Sequence, residues 1–129
     1  MTGGVTYDTG ALIAGERNDR RMWALHVGFI AEEVLPGVPA PVVAEAWRGG
    51  SRQASLARML AGCEIEAMTS ELARRVGELA GRAGHEDVVD VAVVEGAARR
   101  DDDVILTSNE THIRQVIGAT GKHIRVETV

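Results

Sequence analysis

The sequence predicts an α/β protein whose mostly parallel sheet is covered by helices on both faces. Two features predict it. Short apolar runs, among them Val5 to Asp8, Val104 to Leu106 and Ile124 to Val126, alternate with helical patterns along almost the whole chain. The first two runs also end in polar residues (Asp8 and Thr9; Thr107, Ser108 and Asn109) that lead directly into a helical pattern. In open parallel sheets ligands bind beyond the carboxyl ends of the strands, so these polar residues are where chemistry is expected.

The elements follow in order. Val5 to Asp8 reads as a buried strand, with a helix starting near Ala11. Asp19 to Ile30 carries Met22, Leu25, Val27, Phe29 and Ile30 in a helical stripe. Val38 to Ala40 reads as a very short strand, and Pro41 suits the first turn of a helix through Trp47. Ser51 reads as an N-cap for a helix with Leu56, Met59 and Leu60 inside. Cys63 to Met68 reads as a strand with Cys63, Ile65 and Ala67 on one face, and Thr69 opens a helix to about Arg82. Asp87 to Arg100 is helical, with Val88, Val91, Val94 and Ala98 at helix spacing, and Asp101 to Asp103 form a solvated turn before Val104. A helix from Glu110 to Ile117 and the strand Ile124 to Val126 complete the pattern.

The 129 residues amount to one domain, 1–129, without a repeat or Pro-rich linker. The aromatic residues are Tyr7, Trp23, Phe29 and Trp47, so the core is built from Val, Leu, Ile and Ala. No apolar run is long enough for a membrane span, and Asp8, Glu16 and Arg17 interrupt any secretory pattern. A single cysteine, Cys63, excludes an internal disulfide framework and fits a reducing cytoplasm. It falls within an apolar-alternating strand and reads as an inert thiol. The net charge of −5 argues against coating nucleic acid by bulk charge.

Carboxylates recur where strands end or helices begin. Asp8 ends the first strand, Glu45 lies on the helix after Pro41, Asp87 and Asp90 share one helix start, and Asn109 follows another strand. Only folding brings them together, and Asp8 meets Asn109 if their strands are neighbours. Taken singly, each acid suits a cap or a solvated surface. Taken as a set, they make an all-oxygen cluster suited to Mg²⁺ or Mn²⁺, ions that activate water and stabilise charge on phosphate oxygens. Arg48 and Arg52, with Arg17, Arg20 and Arg21, are candidate phosphate contacts or solvated helix residues. His26, His85, His112 and His123 have no zinc spacing with cysteine.

The chain resembles the PIN-domain ribonucleases, in particular VapC-type toxins of toxin–antitoxin pairs. The resemblance is carried by four segments in order: Tyr7-Asp8-Thr9 with Ala11-Leu12-Ile13, Pro41 to Gly50, Glu86 to Asp90, and Ile105 to Asn109. It implies a three-layer α/β/α PIN-like fold around an Mg²⁺ or Mn²⁺ site. It also implies RNA as substrate (tRNA or another structured RNA), a small cognate antitoxin and a homodimer. Asp8, Glu45 and Asp90 match the family's three acids, Asp87 lines the same pocket, and Thr107 matches a hydroxyl that bonds the site. Two residues depart from the pattern. Asn109 stands where Asp is usual, and an amide oxygen attracts a second divalent ion less strongly. Gly10 stands where Ser is common.

Two other classes compete with a metal-dependent nuclease. One is a degenerate PIN-like interaction module, favoured by Asn109 and Gly10. The other is a phosphatase or phosphate-receiver domain, which also uses strand-end acids. Against the receiver stands the lysine content, Lys122 alone.

Overall fold

The computed structural model describes residues 3–129. Five strands, β1 (Val5–Tyr7), β2 (Gly37–Pro39), β3 (Glu64–Glu66), β4 (Val104–Thr107) and β5 (Arg125–Thr128), form one sheet in the order β3-β2-β1-β4-β5. All of its strand pairs are parallel. The helices are α1 (Thr9–Glu16), α2 (Arg20–Ala31), α3 (Ala40–Ala46), α4 (Ala54–Ala61), α5 (Ser70–Ala83), α6 (Val88–Arg99) and α7 (Glu110–Gly118).

The chain starts in the middle of the sheet, steps outward to β2 and β3, then crosses back to β4 and β5. Right-handed crossovers in opposite directions put their helices on opposite faces. The packing agrees: α1 contacts α2, α3 and α4, whereas α5, α6 and α7 contact one another. This is the expected α/β/α sandwich. Reversal of direction at β1 and β4 opens a crevice at their carboxyl ends, where Asp8 and Thr107 stand.

Burial follows position in the sheet. Strands β1, β2 and β4 are buried at every residue, which explains their continuous apolar runs. Strand β3 is an edge, shorter than the expected Cys63 to Met68, and Ile65 is 48% exposed. The expected apolar face of Cys63, Ile65 and Ala67 is covered only in part: Cys63 packs against the core, whereas Ile65 and Ala67 are exposed at the edge. Cys63 precedes β3, its Sγ lies 3.3 Å from the Met59 carbonyl oxygen, and burial pushes its thiol up to about 12.

Side-chain caps set several helix starts. Asp19 Oδ1 accepts from Met22 N (2.8 Å), and Thr69 Oγ1 accepts from Leu72 N (3.1 Å). Ser51 is not the expected N-cap. It begins a 3₁₀ turn (Ser51–Gln53) without a side-chain cap, and α4 starts only at Ala54. Val88, at helix spacing with Val91, Val94 and Ala98, is 58% exposed at the first position of α6.

The turn Asp101 to Asp103 also differs from expectation. Asp101 and Asp103 are exposed, but Asp102 is buried. Its Oδ2 accepts from the Thr6 hydroxyl of β1 and from Arg100 Nε (3.4 Å). Arg100 also donates to Thr6 Oγ1 (2.8 Å) and to Glu66 Oε1 of β3 (3.0 Å). Gly37 and Gly96 make room for this guanidinium, since a Cβ on either would stand 3.0 Å from it. Burial works to raise the Glu66 carboxyl, but Arg99 and Arg100 outweigh it and hold Glu66 below the usual carboxylate range.

Arg100 thus links β1, β3 and the turn into β4. Arg100→Met would strand the buried Asp102 carboxylate and is expected to cost about 3 kcal/mol of stability. Urea unfolding measures this, and a loss under about 1 kcal/mol would contradict the linking role.

Candidate metal centre

Strand β1 delivers Asp8 to the crevice, where it also serves as the N-cap of α1. Asp8 Oδ1 accepts from Thr9 N (2.8 Å), and Oδ2 accepts from the Thr107 hydroxyl at the end of β4 (2.6 Å). Asp8 N donates to Leu106 O (2.9 Å), so the sheet register itself fixes the pair. Thr107 Oγ1 also accepts from Asn109 N (2.9 Å) and shapes the entry to α7.

Glu45 reaches the same place from α3. It is exposed, and its Oε1 accepts from the Thr9 hydroxyl (2.6 Å), so Thr9 ties the two acids together. Asp90 arrives from the first turn of α6 and is 5% exposed. Burial raises the Asp8 carboxyl above its usual range. The bonds from Thr107 and Thr9 oppose that rise, and the charges of Asp90 and Glu45 add to it.

The structure therefore brings Asp8, Glu45, Asp90 and Thr107 together. Asp87 is exposed and caps α6, its Oδ1 accepting from Val89 N (3.0 Å) and Asp90 N (3.3 Å). The Asn109 amide lies 2.9 Å from His112 Nδ1 and is not joined to Asp8 by a direct hydrogen bond. Arg48 and Arg52 are exposed and line an open pocket of about 390 Å³ that also includes Glu45. Arg48 Nη1 donates to the Ala44 (3.1 Å) and Trp47 (2.7 Å) carbonyls.

Several site residues escaped sequence reasoning. Gln53 is buried and organises the loop after α3. Its Oε1 accepts from Arg48 N (2.7 Å) and Gly49 N (2.8 Å), while its Nε2 donates to Glu16 and Ala46. His85 and His112 flank Asp90 Oδ2, at 3.0 Å from His85 Nε2 and 3.7 Å from His112 Nδ1. Neither has a zinc-like spacing with cysteine. Their signal was proximity in sequence to Asp90 and Asn109, one helix boundary away in each case.

Gly10 has a steric reason. A Cβ there would lie 2.2 Å from Ser108 Oγ and 2.7 Å from Ser108 N, so a Ser108 hydroxyl fills the space that a side chain at Gly10 would need.

The donor set fits a hard divalent cation. Asp8 is buried, unfavourably charged and surrounded by further carboxylates, and a cation would relieve that repulsion. Among the described residues no hydrogen bond occupies Glu45 Oε2 or Asp90 Oδ1, leaving coordination capacity on each.

The fold is of the PIN-like α/β/α type. Solved structures share the fold. VapBC2 from Rickettsia felis, bound to a DNA fragment from its promoter, matches with a TM-score of 0.71 and 14% identity over 97% of this chain and 98% of that one. FitAB bound to an IR36 DNA fragment matches with a TM-score of 0.64 and 16% identity over 96% and 94%. PAE2754 from Pyrobaculum aerophilum matches with 0.58 and 18% over 97% and 92%. At these identities the likeness is one of fold. No protein-family model matches the sequence, and no curated protein matches it either.

Two predictions follow from the geometry. The folded Asp8 carboxyl lies above its unfolded value, so stability falls as pH rises from the unfolded value through the folded one. In metal-free buffer, Asp8→Asn is therefore expected to raise the melting temperature relative to the original chain more at pH 7 than at acid pH. A gain that is equal at both, or larger in acid, would contradict the assignment. Gly10→Ser is expected to cost about 1–3 kcal/mol through overpacking against Ser108, measured by urea unfolding. An unchanged midpoint would contradict the close approach.

Proposed function

We propose that this protein is a metal-dependent endoribonuclease, held in check by a small cognate antitoxin. The reading is supported above all by the meeting of Asp8, Glu45 and Asp90 at the crevice, with Asp8 raised by burial and by its neighbours' charge. Such a cluster costs stability unless a cation offsets it. Asp8 and Asp90, with Asp87 and Asn109, are the residues to hold Mg²⁺ or Mn²⁺. Either ion would supply an activated water and charge stabilisation for a phosphodiester.

The chain's own groups do the rest. Thr107 and Thr9 keep Asp8 and Glu45 aimed into the crevice. Glu45 Oε2 takes the proton from the attacking water as its oxygen bonds to phosphorus. The bond from phosphorus to the leaving ribose oxygen breaks, and that oxygen is protonated from solvent. Arg48 and Arg52, beside Glu45, hold the flanking phosphates.

The companion follows from the likeness to VapBC2 and FitAB, each solved on DNA. On this reading a complex of this chain with its antitoxin binds promoter DNA, as the VapBC2 complex does, and the free chain meets RNA in the cytoplasm as a homodimer, as the resemblance of its sequence motifs implies. Absence of a helix long and apolar enough to cross a membrane, among the described residues, is consistent with that setting.

A second reading is favoured by Asn109, whose amide is engaged with His112 and contributes no charge. It is a partner-binding PIN-like module without cleavage. Purified chain, free of partner, is to be tested on total RNA and tRNA with and without Mn²⁺. The nuclease reading expects Mn²⁺-dependent cleavage that falls roughly 100-fold or more in Asp8→Asn. Equal cleavage by both proteins contradicts it, and tight antitoxin binding without cleavage selects the second reading.

A further inference from the structure

Beside the acids lies a second set of donors with different chemistry. His85 sits just past the left-handed C-cap of α5 at Gly84, Asp90 on the first turn of α6, and His112 on the first turn of α7. The His85 and Asp90 side chains are 9% and 8% exposed, while His112 is 53% exposed and opens the cluster to solvent. The two imidazoles meet edge to face, with ring centroids 5.3 Å apart. Three helix termini thus converge on one carboxylate oxygen.

The spacing is that of ligands around one ion. One donor atom from each residue falls within 4.8 Å of the other two. With bonds of about 2.1 Å, ligand atoms on a single ion stand about 3.0 Å apart at right angles and about 3.4 Å apart in a tetrahedron. The separations of 3.0 Å for His85 and 3.7 Å for His112, both to Asp90 Oδ2, bracket that range. Asn109 stands beside His112 at the edge of this set. Its amide nitrogen is 2.9 Å from His112 Nδ1, and a half-turn of the amide puts Oδ1 in that position.

The geometry points to a nitrogen-bearing half-site formed by His85, Asp90 and His112, which takes a borderline transition-metal ion such as Co²⁺, Ni²⁺ or Zn²⁺ in preference to Mg²⁺. Imidazole suits these ions, whereas Mg²⁺ requires oxygen ligands and retains its waters. Asn109 strengthens the preference, because a neutral amide replaces a carboxylate that would have favoured a hard ion. The inference shares Asp90 with the proposed nuclease centre and rests on that reading through this residue alone.

The full chain is to be titrated with CoCl₂ in excess Mg²⁺ and followed by calorimetry and by visible absorption of bound Co²⁺. His85→Gln, His112→Gln and Asp8→Asn are run alongside, with melting curves for each. The expected result is Co²⁺ binding that survives Mg²⁺ and weakens roughly tenfold or more in both histidine variants. His112 is exposed, so His112→Gln carries the test even if His85→Gln fails to fold. Binding lost in Asp8→Asn but unchanged in both folded histidine variants overturns this inference and leaves the acidic centre standing. No Co²⁺ uptake by the original chain also overturns it, while Mn²⁺-dependent RNA cleavage judges the acidic centre separately. Loss in the histidine variants with no Mn²⁺-dependent cleavage supports the half-site and removes the nuclease reading.

Discussion

The hydrogen bond from Thr107 to Asp8 is the interaction on which the site depends. It exists because β1 and β4 pair in parallel and in register, Tyr7 opposite Leu106, so both strands end at the same level. The chain reverses its direction across the sheet at that pair, which leaves the crevice uncovered. A one-residue slip of β4 would turn Thr107 to the opposite face and separate the two side chains. Thr9 then extends the tie to Glu45, and α6 brings Asp90 alongside.

Much of this architecture was legible in the sequence. Val5 to Asp8 and Val104 to Leu106 are apolar enough to declare buried strands, and the polar residues that close them gain meaning from the parallel-sheet rule. Thr69 could be read as opening a helix because its cap is local. What could not be read depended on distant partners. Asp102 looked like one of three solvated acids until Thr6 and Arg100 closed around it. Ile65 shares an apolar face with Cys63 and Ala67 in the sequence, but β3 proved to be the edge and leaves it exposed. His85 and His112 carried no familiar spacing, since they meet only through the packing of α5, α6 and α7. Gly10, a departure from the family pattern, proved to be a packing requirement set by Ser108.

Stability and chemistry pull against each other at Asp8. The rest of the molecule satisfies its buried polar groups: among the described residues, no buried side-chain nitrogen or oxygen lacks a hydrogen-bond partner. At the crevice, hydrogen bonds are present but charge is not balanced, and the Asp8 carboxyl rises in consequence. The net charge of −5 takes on a local meaning here. Part of it is concentrated where a cation would offset it, so overall acidity says little against meeting an RNA phosphate through a metal ion and nearby arginines.

The most direct measurement is anomalous diffraction from crystals of the full chain soaked in Mn²⁺. The account predicts an anomalous peak within bonding distance of the Asp8 and Asp90 carboxylates, beside Glu45. A well-ordered crevice without such a peak, or Mn²⁺ bound only elsewhere on the molecule, would contradict it.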